Sequence, residues 1–424
     1  MCEDFGGFGI SGAPYLIFTP EDMNAIGAHP EDWDKYFRLI ADIDLSAYTD
    51  TQLNIIGSQD IPFTGVFDGN GHTISNFTYS STRTDYIGLF GYLKGINAEI
   101  RDLGLTDPNI HIGGDVFCTG SLVGRLYKGR IFDCHVEGGS ISGHENVGGL
   151  VGGTVDPCST ITKCYSNSIV SGTDQCVGGL VGSNKGFVSR CYSNGIVWGD
   201  YRTGGLAGMN RQGIISESYS TASVSGDDHV GGLVGENYYN WYGNQAVITN
   251  CYSTGSVLGD ERVGGLVGMN YCSKISNCYS IGYIDANLAG GLVSSTGGCL
   301  AAICSSSFWD KQASQFPFSY QGTGKTTAEM MQEATFTNWD FVDVWKICEG
   351  RNYPKLAWQI PIPGDLLCPD GVDLSDYSFF ADHWRDENCG LTNHCDKTDL
   401  DFSGAIDWRD LNILCDHWLE GTGQ

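Results

Sequence analysis

The sequence contains no run of about 18 apolar residues, so no helix of it is expected to cross a membrane. It is also poor in basic residues: 23 Lys and Arg stand against 50 Asp and Glu, for a formal charge of −27. Phosphate binding needs clustered cations, so no nucleic-acid partner is expected. An acidic surface instead favours cations and basic partners. The 60 glycines follow no three-residue period, which excludes collagen. Charged residues make up only 17% and apolar residues 41%, too apolar a balance for a disordered chain. Met1-Cys2-Glu3-Asp4 lacks the basic start and apolar core of a signal peptide. Cys2 alternatively suits the remnant of a lipid-modified terminus. The 17 cysteines are too few for a disulfide scaffold and odd in number, so at least one thiol is unpaired or pairs between chains.

What is present is a repeat. The string G-G-L-V-G recurs with small variations, its Leu falling at Leu89, Leu122, Leu150, Leu180, Leu206, Leu233, Leu266 and Leu292. The spacing runs from 26 to 33 residues. A second string, C-Y-S, follows at Cys164, Cys191, Cys251 and Cys278, with Ser218 replacing Cys in one copy and Cys134 and Cys304 marking decayed outer copies. Short β-branched runs alternate with period two between Gly and Asn turns, and no helical period persists. Several short strands per repeat of this length, without a helix, predict one coil of a parallel β-helix. The expected architecture is all-β, a right-handed solenoid of about ten coils with short capping helices.

Stacked coils turn identical positions into ladders. Asn184, Asn210, Asn237 and Asn270 are expected to stack their amides in one turn. The Cys row is read as buried thiols filling a crowded corner, with disulfides as the alternative, because parallel Cβ vectors sit farther apart than a disulfide prefers. Tyr165, Tyr192, Tyr219, Tyr252 and Tyr279 alternate with Cys and Ser, which predicts an exposed aromatic stripe suited to a ligand or partner. The connection after Leu233 adds Tyr238, Tyr239, Trp241 and Tyr242, an aromatic loop expected to contact a glycan or a protein. Acids precede each G-G-L at Glu145, Asp174, Asp200, Asp227 and Asp260. They read mainly as turn residues. Asp227-Asp228-His229 is the one break in the row and the weak catalytic candidate.

The G-G-L-V-G-x-N…C-Y-S-x-G-x-V-x-G unit resembles the GLUG motif of bacterial surface and secreted proteins. Phe63–Ile74 and Ile87-Gly88-Leu89-Phe90-Gly91 resemble the first coils of the same proteins. The resemblance implies an exported protein whose leader precedes this numbering, with an extracellular or cell-surface location and an adhesive or structural role.

The ends differ from the repeat. Thr19-Pro20-Glu21-Asp22 predicts a helix start, a Thr cap with Pro at the first position, running to about Ala28. Residues 1–60 are assigned to an N-terminal cap, 61–326 to the repeats, 327–360 to a C-terminal cap with a helix from Thr327 to Ala334, and 361–424 to a separate module. In that module Asp376–Trp384 and Asp410–Trp418 are copies offset by 34 residues. Before the second copy lie Asp399, Asp401, Ser403, Ala405, Asp407 and Asp410, oxygen donors in EF-hand order with Gly404 at the sharp turn, which predicts a Ca²⁺ loop. Its terminal Asp makes it resemble a dockerin repeat, implying attachment to a cohesin-like protein. The first copy departs from the pattern, since Leu367 and Pro369 offer no side-chain oxygen. Cross-links among Cys368, Cys389, Cys395 and Cys415 are the expected substitute.

Together these features predict an exported, non-catalytic β-solenoid that adheres or self-assembles end to end, with a Ca²⁺-dependent attachment module. The alternative is a polysaccharide-binding or polysaccharide-degrading β-helix protein.

Overall fold

The computed structural model describes residues 6–82, 85–239, 244–359, 364–366, 371–387, 389, 398–401 and 403–418. The chain divides into two compact units, residues 1–326 and 327–424. The first is a parallel β-solenoid of about 9 turns, one fewer than the repeat count suggested. Its strands join a 29-stranded sheet and an 8-stranded sheet, each paired in parallel with the equivalent strand of the next coil.

The repeat spacing creates this stacking. Register runs Phe37↔Phe67↔Ile100↔Ile131↔Ile161↔Val188↔Ile215↔Ile248↔Ile275, one residue per coil. All nine side chains point inward and are fully buried. Burial of each aliphatic or aromatic side chain in such a row stabilises by roughly 1.5–3 kcal/mol. The early coils fill the interior with Phe37, Phe63, Phe67 and Phe90, whose rings meet at 5.1–6.1 Å.

The two recurring strings close the corners together. Each G-G-L leucine is buried, and Leu180 N donates to Leu206 O while Leu206 N donates to Leu233 O, at 3.0 and 2.9 Å. A Cβ on Gly205 would lie 2.1 Å from the carbonyl oxygen of Gly232 and 2.2 Å from Ser220 Oγ, so only glycine fits there. The C-Y-S serines point into the same corner. Ser193 Oγ donates to Gly205 O at 2.5 Å, and Ser280 Oγ donates to Gly291 O at 2.7 Å. Each motif thus satisfies the backbone that the other exposes.

The asparagine ladder forms as expected. The Nδ2 groups of Asn184, Asn210 and Asn237 each donate to the next Oδ1 at 2.9 Å, and all four asparagines are buried. Thr154 starts the chain and Gln321 ends it. The cysteine row is free and buried at Cys134, Cys164, Cys191, Cys251 and Cys278, with Cys304 half-buried. Cys191 Sγ donates to Ser189 O at 3.3 Å, and Ser218 Oγ replaces sulfur by accepting from Cys191 N at 3.1 Å. Burial raises the thiols of Cys134, Cys191 and Cys278. Off this row, Cys272 and Cys299 form a disulfide.

Near the N-terminus, Pro20–Ala28 is helical, capped by Thr19 with Asp22 completing a capping box. In the second unit the helix expected from Thr327 is only Thr327–Met330, followed by a short turn at Glu333–Thr335. Trp345–Lys346 and Lys355–Leu356 pair antiparallel. Two further helices, Leu374–Asp382 and Trp408–Asp416, each start at an Asp cap with a second Asp closing the box. Val372, Phe380, Ile406 and Leu414 form the small core around them.

Candidate functional site

The tyrosine row is a stack, not an open stripe. His135, Tyr165, Tyr192, Tyr219, Tyr252 and Tyr279 lie ring on ring, with centroids 4.6–5.0 Å apart and planes within 7°. Their faces are spent on one another. Tyr252 and Tyr279 are also buried, at 5% and 2% exposure. A sugar ring therefore cannot stack on this row, which corrects the expectation of an exposed aromatic surface. The phenol of Tyr165 is pushed up to about 12, first by burial and then by Glu137. Tyr238 stacks in the same way on Tyr271, at 5.4 Å, and Tyr239 N donates to Tyr271 O. Trp241 and Tyr242 lie outside the described residues.

The weak catalytic candidate resolves into a corner lock. Asp228 is gripped in a fork by Arg262, Nε to Oδ1 at 2.7 Å and Nη2 to Oδ2. Burial opposes ionisation of Asp228, but this fork prevails and lowers its pKa. His229 is 4% exposed, with Nδ1 3.2 Å from Asp228 and Nε2 3.2 Å from Met269 Sδ. Burial pushes its pKa down to about 4, so the ring is neutral. Asp227 instead belongs to an outer edge. The register Gln175↔Tyr201↔Asp228↔Glu261 aligns Asp174, Asp200, Asp227 and Asp260 one residue earlier. Burial, then Asp227 and Asp174, raises the Asp200 carboxyl. Glu145 was expected in this row, but it sits opposite Phe117, one place along, and His144 takes its position.

The lock repeats up the solenoid. Tyr86, Cys118, Asn146, Cys176, Arg202, His229 and Arg262 all adopt positive φ between 49° and 65°. This turns several of their side chains onto the smaller sheet. Arg125 donates to Tyr86 Oη at 2.6 Å, Cys176 meets Met209 at 3.8 Å, and Arg202 pairs with buried Glu236 and with Gln175. Burial raises the Glu236 carboxyl while Arg202 opposes the shift.

Sequence reasoning missed a charged network on the early coils. Asp68 and Glu99, both buried, are held by three arginines. Arg38 and Arg101 each reach Asp68 at 2.9 Å, while Arg101 and Arg130 reach Glu99 at 2.8 and 2.5 Å. The signal was the spacing from 38 to 68 to 101 and from 99 to 130, each about one coil. No strong G-G-L-V-G string marks those first coils, so the rows could not be aligned by eye.

In the second unit the predicted metal loop brings carboxylates together. The oxygens of Asp399, Asp401 and Asp410 lie within 4.8 Å of one another, and Asp399 and Asp410 are buried. Backbone amides aim them: Asp410 Oδ1 accepts from Leu400 N and Asp401 N, Asp399 accepts from Ser403 N and Gly404 N, and Asp407 caps the helix. Ser403 Oγ donates to Ala405 O. The residues fit a hard divalent ion, which takes six to eight oxygens from such a loop. The preceding copy keeps the frame. Leu366 N donates to Asp376 Oδ1 at 2.7 Å, as Leu400 N does to Asp410, and Asp373 N donates to Asp376 Oδ2 at 2.9 Å, as Asp407 N does to Asp410. Of the expected cross-link partners, Cys415 is a free exposed thiol, Cys389 is disulfide-bonded, and Cys368 and Cys395 lie outside the described residues.

Residues 226–258 match the GLUG motif. This is the coil that carries the Asp228–Arg262 corner half and the G-G-L at Leu233. Among relatives, the chain is 34% identical over 190 residues to halomucin of Haloquadratum walsbyi, covering 42% of this chain and 2% of that protein. It is 36% identical over 135 residues to a protein of Evansella cellulosilytica provisionally named as a Gly-rich membrane protein, covering 31% and 15%. The chain thus matches only a small part of either relative's length. A solved structure from Bacteroides ovatus, provisionally named as an immunoglobulin A1 protease, aligns over 83% of this chain and 94% of its own. Its TM-score is 0.50 at 24% identity, a likeness of fold alone. No helix among the described residues is long and apolar enough to cross a membrane.

Proposed function

We propose that this chain is an exported surface or extracellular solenoid with a structural and adhesive role, carrying a Ca²⁺-dependent attachment module. The observation that carries this reading is the convergence of Asp399, Asp401 and Asp410 in a loop whose amides already hold the carboxylates in place. Three carboxylates this close repel one another, and a divalent cation would relieve the repulsion. Ser403, Ala405 and Asp407 supply further oxygens in the same turn. The preceding copy has Leu367 and Pro369 at donor positions of its sequence, and so keeps the Asp376 hydrogen bonds without the full donor set. The module is dockerin-like in this reading, and its partner is a cohesin-like or other cell-surface protein, or a second copy joined end to end.

The solenoid suits a scaffold because its ladders are continuous and each coil supports the next. The names of the two relatives, halomucin and a Gly-rich membrane protein, support a surface location in this reading. The test is calorimetric titration of the full chain with Ca²⁺. One site is expected, lost in Asp399→Ala and in Asp410→Asn. An unchanged isotherm in both variants refutes the assignment. Electron microscopy in Ca²⁺ and then in chelator tests assembly: chains or filaments are expected in Ca²⁺, and dispersed single rods in both conditions would remove self-association from the reading.

A further inference from the structure

The chain carries far more acid than base, yet several of its cations share one face of the solenoid. Arg38, Arg101 and Arg130 lie on the outward rows of the early coils, and Lys163, Lys185 and Lys274 border the later ones. Of the acids among them, Asp68 and Glu99 are paired with guanidinium groups, Asp102 lies 3.7 Å from Arg101, and Glu217 pairs with Arg190 at 3.0 Å, while Asp133 stands between Asp102 and Lys163 in the same row. The exposed acids Asp227 and Asp260 belong to a different edge, beside the G-G-L corners.

Three cavities open on this same face. The first, about 250 Å³, is lined by Arg38, Asp68, Glu99, Arg101 and Arg130. A second, about 420 Å³, shares Arg101 and Arg130 and adds Phe132, Thr160 and Thr162. Lys163 lies against the ring of Phe132, with Nζ 5.3 Å from its centroid. The third, about 350 Å³, is lined by Lys185, Phe187, Ile214, Val247 and Lys274. Register links them in one row, Tyr36↔Val66↔Glu99↔Arg130↔Thr160↔Phe187↔Ile214↔Val247↔Lys274. Eight steps at the strand spacing make roughly 38 Å.

We propose that this face is a binding groove for an extended acidic polysaccharide whose repeating carboxylates pair with Arg130, Lys163, Lys185 and Lys274. The proposal rests on the adhesive reading of the solenoid and not on the calcium module. Guanidinium groups already bind carboxylates on this face: Arg38 Nε and Nη2 and Arg101 Nη2 all donate to Asp68 Oδ2, and Arg101 Nη1 donates to Glu99 Oε1. Beside the cations runs a hydroxyl row of Thr162, Ser189, Ser216, Thr249 and Ser276. Two of its steps are bonded directly, Ser216 to Ser189 at 3.2 Å and Ser276 to Thr249 at 2.9 Å. Hydroxyls recurring once per coil, next to the apolar Phe187, Ile214 and Val247, suit the hydroxyls and C–H faces of a sugar chain. An acidic peptide would dock by adding a strand. This face offers only side chains, because its backbone groups are already bonded between coils.

The test uses the full chain in chelator, with polygalacturonate as the probe, fully methyl-esterified polygalacturonate and poly-glutamate as competitors, and calorimetry or affinity electrophoresis as the readout. Arg130, with a side chain 58% exposed, and Lys274 can be changed without disturbing the core. Binding to polygalacturonate is expected, weakened about tenfold in Arg130→Gln/Lys274→Gln and reduced by salt. Asp260→Asn on the acidic edge should bind as well as the parent. No binding by the parent chain, equal binding of the esterified polymer, or tighter binding of poly-glutamate would each overturn the proposal. Because chelator is present throughout, failure here leaves the calcium reading untouched, and failure of the calcium titration leaves this one untouched.

Discussion

Replacing Asn237 by Ala tests whether the buried amide ladder supports the solenoid. Asn237 is fully buried and bonded on both sides. Its Oδ1 accepts from Asn210 Nδ2, and its Nδ2 donates to Asn270 Oδ1, both at 2.9 Å, and to Lys274 O at 3.3 Å. Truncation removes these bonds. Asn210 Nδ2 keeps Gly213 O and Val247 O as acceptors, so it loses little. Asn270 Oδ1 loses its donor inside the protein, and a stranded buried acceptor costs about 1–3 kcal/mol. With about 1 kcal/mol for each of the two amide–amide bonds, the expected loss is roughly 3–5 kcal/mol. Neighbouring coils depend on one another, so the loss should lower the stability of the whole stack and not fray one turn. Urea unfolding followed by circular dichroism measures it, with the midpoint falling at unchanged slope. A loss below about 1 kcal/mol for Asn237→Ala would mean that the amides are interchangeable filler, and the ladder argument fails.

The buried imidazole of His229 makes a pH prediction. Its folded pKa of about 4 lies below the ordinary 6.5, so the unfolded chain binds a proton that the folded chain refuses. Stability from this group is full above about pH 6.5 and is lost as pH falls towards 4, by up to about 3 kcal/mol. Comparing the parent with His229→Gln across that window should show the parent losing more. Equal slopes refute the buried neutral ring. Cys272→Ser opens a disulfide with a sequence separation of 27, and the chain-entropy estimate is a loss of about 3.5 kcal/mol, read as a lower urea midpoint. No change would show that the bridge constrains nothing in the unfolded chain. Alkylation under native conditions should modify Cys158 and Cys415 and spare Cys134, Cys164 and Cys191, which are fully buried. Rapid labelling of those three would contradict the packed corner.

Repeat spacing and period-two alternation determined the solenoid, because a strand pattern recurring at coil length has only stacking available to bury its apolar face. The same logic placed the asparagine ladder, the thiol corner and the Thr19 helix cap, and it singled out the loop where Asp399, Asp401 and Asp410 converge. Each of these is a local rule or a direct consequence of identical residues standing one above another. What alternation could not decide is which outward residues remain open. The tyrosines do point away from the cysteines, but stacking at about 4.8 Å closes their faces on each other. Backbone sign was also invisible. Arg202, His229 and Arg262 sit at positive φ; the first two reach Glu236 and Met269 on the smaller sheet and Arg262 grips Asp228 of the neighbouring coil, which turns a supposed acid–base group into packing. The Cys272–Cys299 bridge and the Arg38–Asp68–Arg101–Glu99–Arg130 network join residues one coil apart at positions outside the two recurring strings. Only the tertiary register brings those residues side by side, since coils of 26 to 33 residues shift every alignment that lacks an anchor.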